Sequence, residues 1–179
     1  MRPRQDRYQI AVVCLGNICR SPIAEKVLEQ RLAVAGLDRL VTVESAGTAG
    51  WHVGKAADPR SQGALRRAGY SNGHTAQQFD PAWFERTDLV LGMDYDNVRD
   101  LRGMAPDSLE AGKVRIFRSF DPSLMHLPED DPALATPDPY YGTDADFDAV
   151  VAMVEPAADG IIDHVRLELS NSRWGVASD

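Results

Sequence analysis

Four short apolar runs, Ile10–Val13, Val41–Ala46, Leu89–Leu91 and Val114–Phe117, alternate with longer stretches whose apolar residues recur at helical spacing. Runs of this length bounded by turn-forming residues read as strands. After the first run, Ala24, Val27, Leu28, Leu32 and Ala35 trace one helix face, and Gly36 is a natural stop. A second helical stretch opens at Asp58-Pro59 and closes near Gly69, and Asp94–Leu101 supplies a third. The longest stripe is C-terminal: Phe147, Val150, Val151, Val154, Ala158, Ile161, Ile162, Val165 and Leu169. Pro156 falls inside it and is expected to kink or split that helix. Strands alternating with helices imply an α/β fold with a parallel sheet covered by helices on both faces. With 179 residues the chain fits one domain. Between Asp121 and Asp138 it is rich in Pro, Asp and Glu and reads as a long loop.

The net charge of −8 argues against nucleic acid or an anionic membrane as partner, since both demand a basic face. No stretch approaches the ~18 apolar residues of a membrane span. The opening residues are basic, but Ile10–Val13 is too short for a signal-peptide core, so the reading is cytoplasmic. Only two cysteines are present, Cys14 and Cys19, too few for a secreted disulfide scaffold. His52, His126 and His164 lack metal-ligand spacing, and neither a metal nor a cofactor is expected.

The segment Val13-Cys14-Leu15-Gly16-Asn17-Ile18-Cys19-Arg20-Ser21-Pro22 joins the first strand to the first helix. Such turns lie at the carboxyl edge of a parallel sheet, where ligands bind. Gly16 is expected to supply unusual backbone angles, Ser21 the helix cap and Pro22 the first helical position. The free amides and dipole of that helix then favour an anion in the loop. A thiol at such a place is shifted toward the nucleophilic thiolate, which singles out Cys14. Arg20 offers a planar fork of donors to two phosphate oxygens. Nucleophile and anion clamp on one loop describe phosphoryl transfer to sulfur. Ser21 has a second candidate role, donating its hydroxyl to the Cys14 sulfur. Trp51, Tyr140 and Tyr141 are candidate walls of a slot for a flat aromatic ring.

The run Val13–Pro22 resembles the phosphate loop of the low-molecular-weight protein tyrosine phosphatases. So do Ser45-Ala46-Gly47-Thr48, His74 and Asp138-Pro139-Tyr140-Tyr141-Gly142. The resemblance implies a four-stranded parallel sheet and one phosphatase domain over residues 8–171, with flexible ends at 1–7 and 172–179. By match, Cys14 is the nucleophile, Arg20 binds phosphate, and Leu15, Gly16, Asn17, Ile18 and Cys19 complete the loop. Asp138 takes the part of general acid and then base. Asn17 is held by Ser45 and His74 in the loop's strained shape. Cys19 becomes a redox partner that bonds to oxidised Cys14, and Tyr140 or Tyr141 a phosphorylation target. Gln77 stands where a basic residue is expected, and Thr136 where an aliphatic one is. The implied partner is a tyrosine-phosphorylated protein, met by a monomeric enzyme.

Three alternatives share these residues. Thiol-dependent arsenate reductases need further cysteines, and none follows Cys19. Protein arginine phosphatases tend to carry Thr at the position of Ile18. A non-catalytic phosphate-binding module would be expected to have lost Cys14, Arg20 or Asp138, and all three are present.

Overall fold

Strand β1, Tyr8–Cys14, sends Tyr8, Ile10, Val12 and Cys14 into one apolar cluster and Ala11 and Val13 into another. This is the period of two that a strand imposes. The computed structural model describes residues 6–171. The first cluster is filled by Ile23, Val27 and Leu28 of α1 (Arg20–Val34) and by Phe147, Val154 and Ile161 of α5 (Asp144–Ser170). Val98 and Leu101 of α3 (Tyr95–Met104) fill the second, with Phe79 and Phe84. Both sides of this central strand are therefore buried, which is why Ile10–Val13 reads as a continuous apolar run.

The other strands are β2 (Val41–Gly47), β3 (Leu89–Gly92) and β4 (Val114–Ile116), and the sheet runs β2-β1-β3-β4, all parallel. From β1 the chain goes to one side for β2 and then crosses to the other for β3. The order thus reverses at β1, and the crevice outside its carboxyl end is where such sheets bind ligands. The turns after β1 and β3 become neighbours there, joined by Met93 N–H donating to the Val13 carbonyl at 3.1 Å.

Local signals explain the helix ends. Asp58 caps α2 (Pro59–Arg67) by accepting from Arg60 N–H at 2.8 Å, and Gly69 leaves it with φ of 85°. Asp94 and Asn97 form a reciprocal capping box on α3. Pro156 does not split α5, which runs unbroken. The carbonyl that its missing N–H would have met belongs to exposed Ala152, where water can satisfy it. Further along, a Cβ at Gly160 would overlap the Phe120 carbonyl oxygen, so the helix reaches its neighbour only because that position is bare. The short helix α4 (Ser108–Ala111) and the 3₁₀ turn Pro81–Glu85 are too brief to show a period in sequence. The 121–138 stretch is loop, apart from 3₁₀ turns at Pro122–Leu124 and Pro132–Leu134 capped by Asp121 and Asp131. No described helix is long and apolar enough to cross a membrane. Asp6 and Arg7 are exposed bends, and the rest of the expected flexible ends, 1–5 and 172–179, lies outside the described residues.

Candidate active site

The loop between β1 and α1 is shaped from outside. Thr48 N–H donates to the Cys14 carbonyl and Ala49 N–H to that of Leu15, both at 2.9 Å. His74 Nε2 lies 2.7 Å from the Asn17 carbonyl. Asp58 N–H donates to the Ile18 carbonyl at 2.8 Å, and Ser61 Oγ to that of Cys19 at 3.2 Å. In a trans peptide the carbonyl and the next residue's N–H point opposite ways. Carbonyls drawn outward at 14, 15, 17, 18 and 19 therefore turn the N–H groups of Leu15, Gly16, Ile18, Cys19 and Arg20 inward. The result is a cup of donors at the head of α1, a ready seat for an anion.

The left-handed residue of this loop is Asn17, with φ of 57°, and not Gly16. Asparagine tolerates that conformation, and here every polar group of its side chain is engaged. Its Oδ1 accepts from Gln77 N–H at 2.9 Å, and its Nδ2 donates to Ser21 Oγ at 2.8 Å and Ser45 Oγ at 3.0 Å. Gly16 is small for another reason: a Cβ would lie 2.9 Å from His52 Cδ2. Ser21 does not cap the helix, since α1 already begins at Arg20 with Cys19 in the capping position. The Ser21 hydroxyl is instead 3.0 Å from Cys14 Sγ. Pro22 then occupies the third helical position, where a missing N–H is still harmless.

The polarity of these bonds follows from counting protons. The Glu25 carboxylate only accepts, so Ser45 Oγ donates to it at 2.7 Å and must accept from Asn17. The other Asn17 amide proton goes to Ser21, whose own proton is free for Cys14 Sγ at 3.0 Å; the Ala46 carbonyl, at 3.5 Å, is the poorer acceptor. Glu25 also lies 3.3 Å from His74 Nδ1, so one carboxylate orients both supports of Asn17. Glu25 stands one helical turn beyond Ser21, and that spacing was the only sequence signal for it.

Arg20 is buried, 3% exposed, yet held as a cation. Its NH1 donates to Asp94 Oδ2 at 2.6 Å and to the Thr136 carbonyl at 3.1 Å, while NH2 lies 3.6 Å from Asp138 Oδ2. Burial opposes the charge, but the negative charge of Cys14, the bond to Asp94 and the carboxylates of Asp94 and Asp138 together raise its pKa. Asp94 could not be assigned from sequence because its meeting with Arg20 depends on β3 lying beside β1. Thr136 contributes a carbonyl, which any residue carries. Gln77 supplies a backbone N–H to Asn17, and its Nε2 donates to the Ser45 carbonyl at 3.0 Å, so the support expected of a basic residue is carried differently.

Cys14, Leu15, Gly16, Ile18, Cys19, Arg20 and Asp138 line one cavity of about 250 Å³, with Trp51, His52, Tyr140 and Tyr141 at its walls. His52, given no role in sequence, belongs to this wall. Trp51 is 70% exposed, Tyr140 41% and Tyr141 97%, so the aromatic side is open to a partner. The two tyrosine rings meet edge-on at 5.0 Å. Asp138 sits in a turn closed by its own Oδ1, which accepts from Tyr140 N–H at 3.1 Å. Cys14 and Cys19 are both free thiols. The Cys19 thiol is pushed up to about 12 by burial, then by the charges of Asp58, Cys14 and Asp138, with Arg60 opposing. Asn17, Ser21, Ser45 and His74 lie behind the loop rather than in the cavity.

A family model described as low molecular weight phosphotyrosine protein phosphatase matches residues 9–171. The chain is 46% identical to the low molecular weight protein-tyrosine-phosphatase of Streptomyces coelicolor, over 89% of this chain and 94% of that one. It is 43% identical to low molecular weight protein-tyrosine phosphatase A of Mycobacterium tuberculosis, over 93% and 97%. Among solved structures, a protein tyrosine phosphatase from Entamoeba histolytica with Hepes in its active site superposes with a TM-score of 0.81 at 28% identity, covering 90% of this chain and 98% of that one.

Proposed function

This chain belongs to the low-molecular-weight phosphotyrosine protein phosphatases, and on that premise we propose that it hydrolyses protein phosphotyrosine through a cysteinyl-phosphate intermediate. The observation that carries the reading is a single cavity lined by Cys14, Arg20 and Asp138 together. The phosphoryl group sits in the cup of amides with Arg20 across two of its oxygens. Cys14 attacks phosphorus opposite the tyrosyl oxygen; the S–P bond forms, the P–O bond breaks, and Asp138 gives its proton to the departing phenol oxygen. Asp138, now a carboxylate, takes a proton from water as that water attacks phosphorus. Inorganic phosphate leaves, and the sulfur departs as thiolate, stabilised by the Ser21 hydroxyl.

Residues 8–171 form the phosphatase domain, and the chain acts as a cytoplasmic monomer on tyrosine-phosphorylated proteins. Trp51, Tyr140 and Tyr141 wall the ring of the substrate, and apolar Ile18 in the loop suits that ring better than a guanidinium. Cys19, buried and protonated at neutral pH, is the thiol that would bond to oxidised Cys14.

The test is hydrolysis of a phosphotyrosine peptide and a phosphoarginine peptide in the presence of a chelator. The expected result is turnover of the first that survives chelation and vanishes in Cys14→Ser. Asp138→Asn should slow it by ~10²–10⁴. Faster release from phosphoarginine, or turnover by Cys14→Ser, overturns the proposal.

A further inference from the structure

Asp138 has little packing of its own: its side chain is 46% exposed, and its turn reaches out over the cavity. On the upstream side this turn is tied to the sheet, because Arg20 NH1 donates to the Thr136 carbonyl at 3.1 Å and Thr136 N–H to that of Met93 at 2.8 Å. On the downstream side it meets Arg60, from the first turn of α2. Arg60 NH1 donates to the Gly142 carbonyl at 3.1 Å, and the guanidinium lies 5.7 Å from the Tyr140 ring centroid and 4.5 Å from that of Phe147. Phe147 is fully buried in α5, so the contact reaches the rigid core.

The guanidinium is itself locked. Asp58 receives Arg60 Nε at 3.1 Å and NH2 at 3.0 Å. The same corner grips the phosphate loop, through Asp58 N–H on the Ile18 carbonyl and Ser61 Oγ on that of Cys19. One short segment, 58–61, thus holds the nucleophile's loop by its backbone and Ser61, and the acid's turn by Arg60.

We infer that Arg60 is a positioning residue, clamping the Asp138–Gly142 turn to the corner that carries the phosphate loop and so setting the distance from the proton donor to the leaving oxygen. The inference rests on the proposed reading of Asp138 as the acid. Only arginine fits the place: it forks onto a carboxylate, donates to a carbonyl and lays its face on rings, whereas lysine is a point charge on a flexible stem.

The hydrogen bonds of the Arg60 side chain go to Asp58 and Gly142 and not to the phosphate loop, and this separates the clamp from general support of the fold. The experiment measures kcat/KM for aryl phosphates whose leaving phenols range from acidic to basic, for the parent, Arg60→Met, Asp138→Asn and the double variant, alongside inhibition by inorganic phosphate. Acidic phenols leave without a proton, so only basic ones report on the acid. Arg60→Met should lose about tenfold with the most basic phenol and little with the most acidic, and add almost nothing to Asp138→Asn. Its inhibition by phosphate should stay within about threefold of the parent. Arg60→Lys, which keeps charge and stem, should share the defect and carries the same test should Arg60→Met not fold. A loss equal across all phenols, a matching loss of phosphate binding, full activity in Arg60→Lys, or an additive double variant overturns the clamp. A flat response in Asp138→Asn itself would instead overturn the reading of Asp138 and leave the two failures distinct.

Discussion

Replacing Ser21 by alanine removes one hydroxyl from a fully buried network and little else, since Ser21 is 0% exposed and the change fits its space. The proton count makes that hydroxyl a donor to Cys14 Sγ at 3.0 Å. A hydrogen bond to a charged group contributes about 1.5–3 kcal/mol. At about 1.4 kcal/mol per factor of ten, losing it slows a step by roughly 10- to 150-fold where the sulfur's charge is more developed in the transition state than in the ground state. In the proposed mechanism that step is breakdown of the cysteinyl phosphate, in which sulfur leaves as thiolate. In the forward attack sulfur loses charge instead, and a less well solvated sulfur is a better nucleophile, so loss of the bond does not slow that step in the same way. Ser21→Ala should therefore accumulate intermediate. Rapid mixing with an aryl phosphate should show a burst approaching one phenol per enzyme, followed by slow turnover. The change also strands one Asn17 amide proton, at about 1–3 kcal/mol, so a modest drop in unfolding midpoint should accompany it. A kcat within about threefold of the parent without a burst would refute the assigned direction of the bond.

Two further outcomes concern the fold. Gly160→Ala should destabilise the protein by at least about 2 kcal/mol, because the overlap of its Cβ with the Phe120 carbonyl outweighs alanine's ~1 kcal/mol helix advantage; an unchanged or higher Tm refutes the close approach of α5. His164 lies against Phe120 with ring centroids 5.1 Å apart, and its pKa is lowered by burial and then by Arg115, with Glu168 opposing. A depressed histidine adds stability that is present above its unfolded pKa of about 6.5 and lost as pH falls through the lower folded value. Denaturant midpoints should therefore drop on acidification below that point, and His164→Gln should flatten this part of the profile; equal slopes in both proteins would show that His164 titrates as in the unfolded chain.

The loop that carries Cys14 and Arg20 was legible in the sequence because it is contiguous. Strand, loop and helix follow one another between Tyr8 and Val34, so Cys14 and Arg20 share one loop whatever the rest of the chain does. Helix starts at Asp58 and Asp94 were legible for the same reason, since a cap acts within three residues. Within the loop itself local reasoning misplaced two parts. It gave the left-handed conformation to Gly16 and the cap to Ser21, where tertiary partners hold Asn17 in that conformation and draw the Ser21 hydroxyl to the sulfur.

What the local pattern could not decide is which distant residues meet. Arg20 is 74 residues from Asp94 and 116 from Thr136, and His74 is 57 from Asn17. Each contact exists because the sheet runs β2-β1-β3-β4, an order that hydrophobic periodicity does not encode. Periodicity records which side of an element is buried; it is silent on which element buries it. The sequence alone therefore determined an α/β chain carrying a thiol and a guanidinium on one anion-binding turn. Long-range packing decided the rest: the carbonyls drawn outward to make the cup, the carboxylate of Glu25 that orients its supports, and the Asp138 carboxylate brought near Arg20.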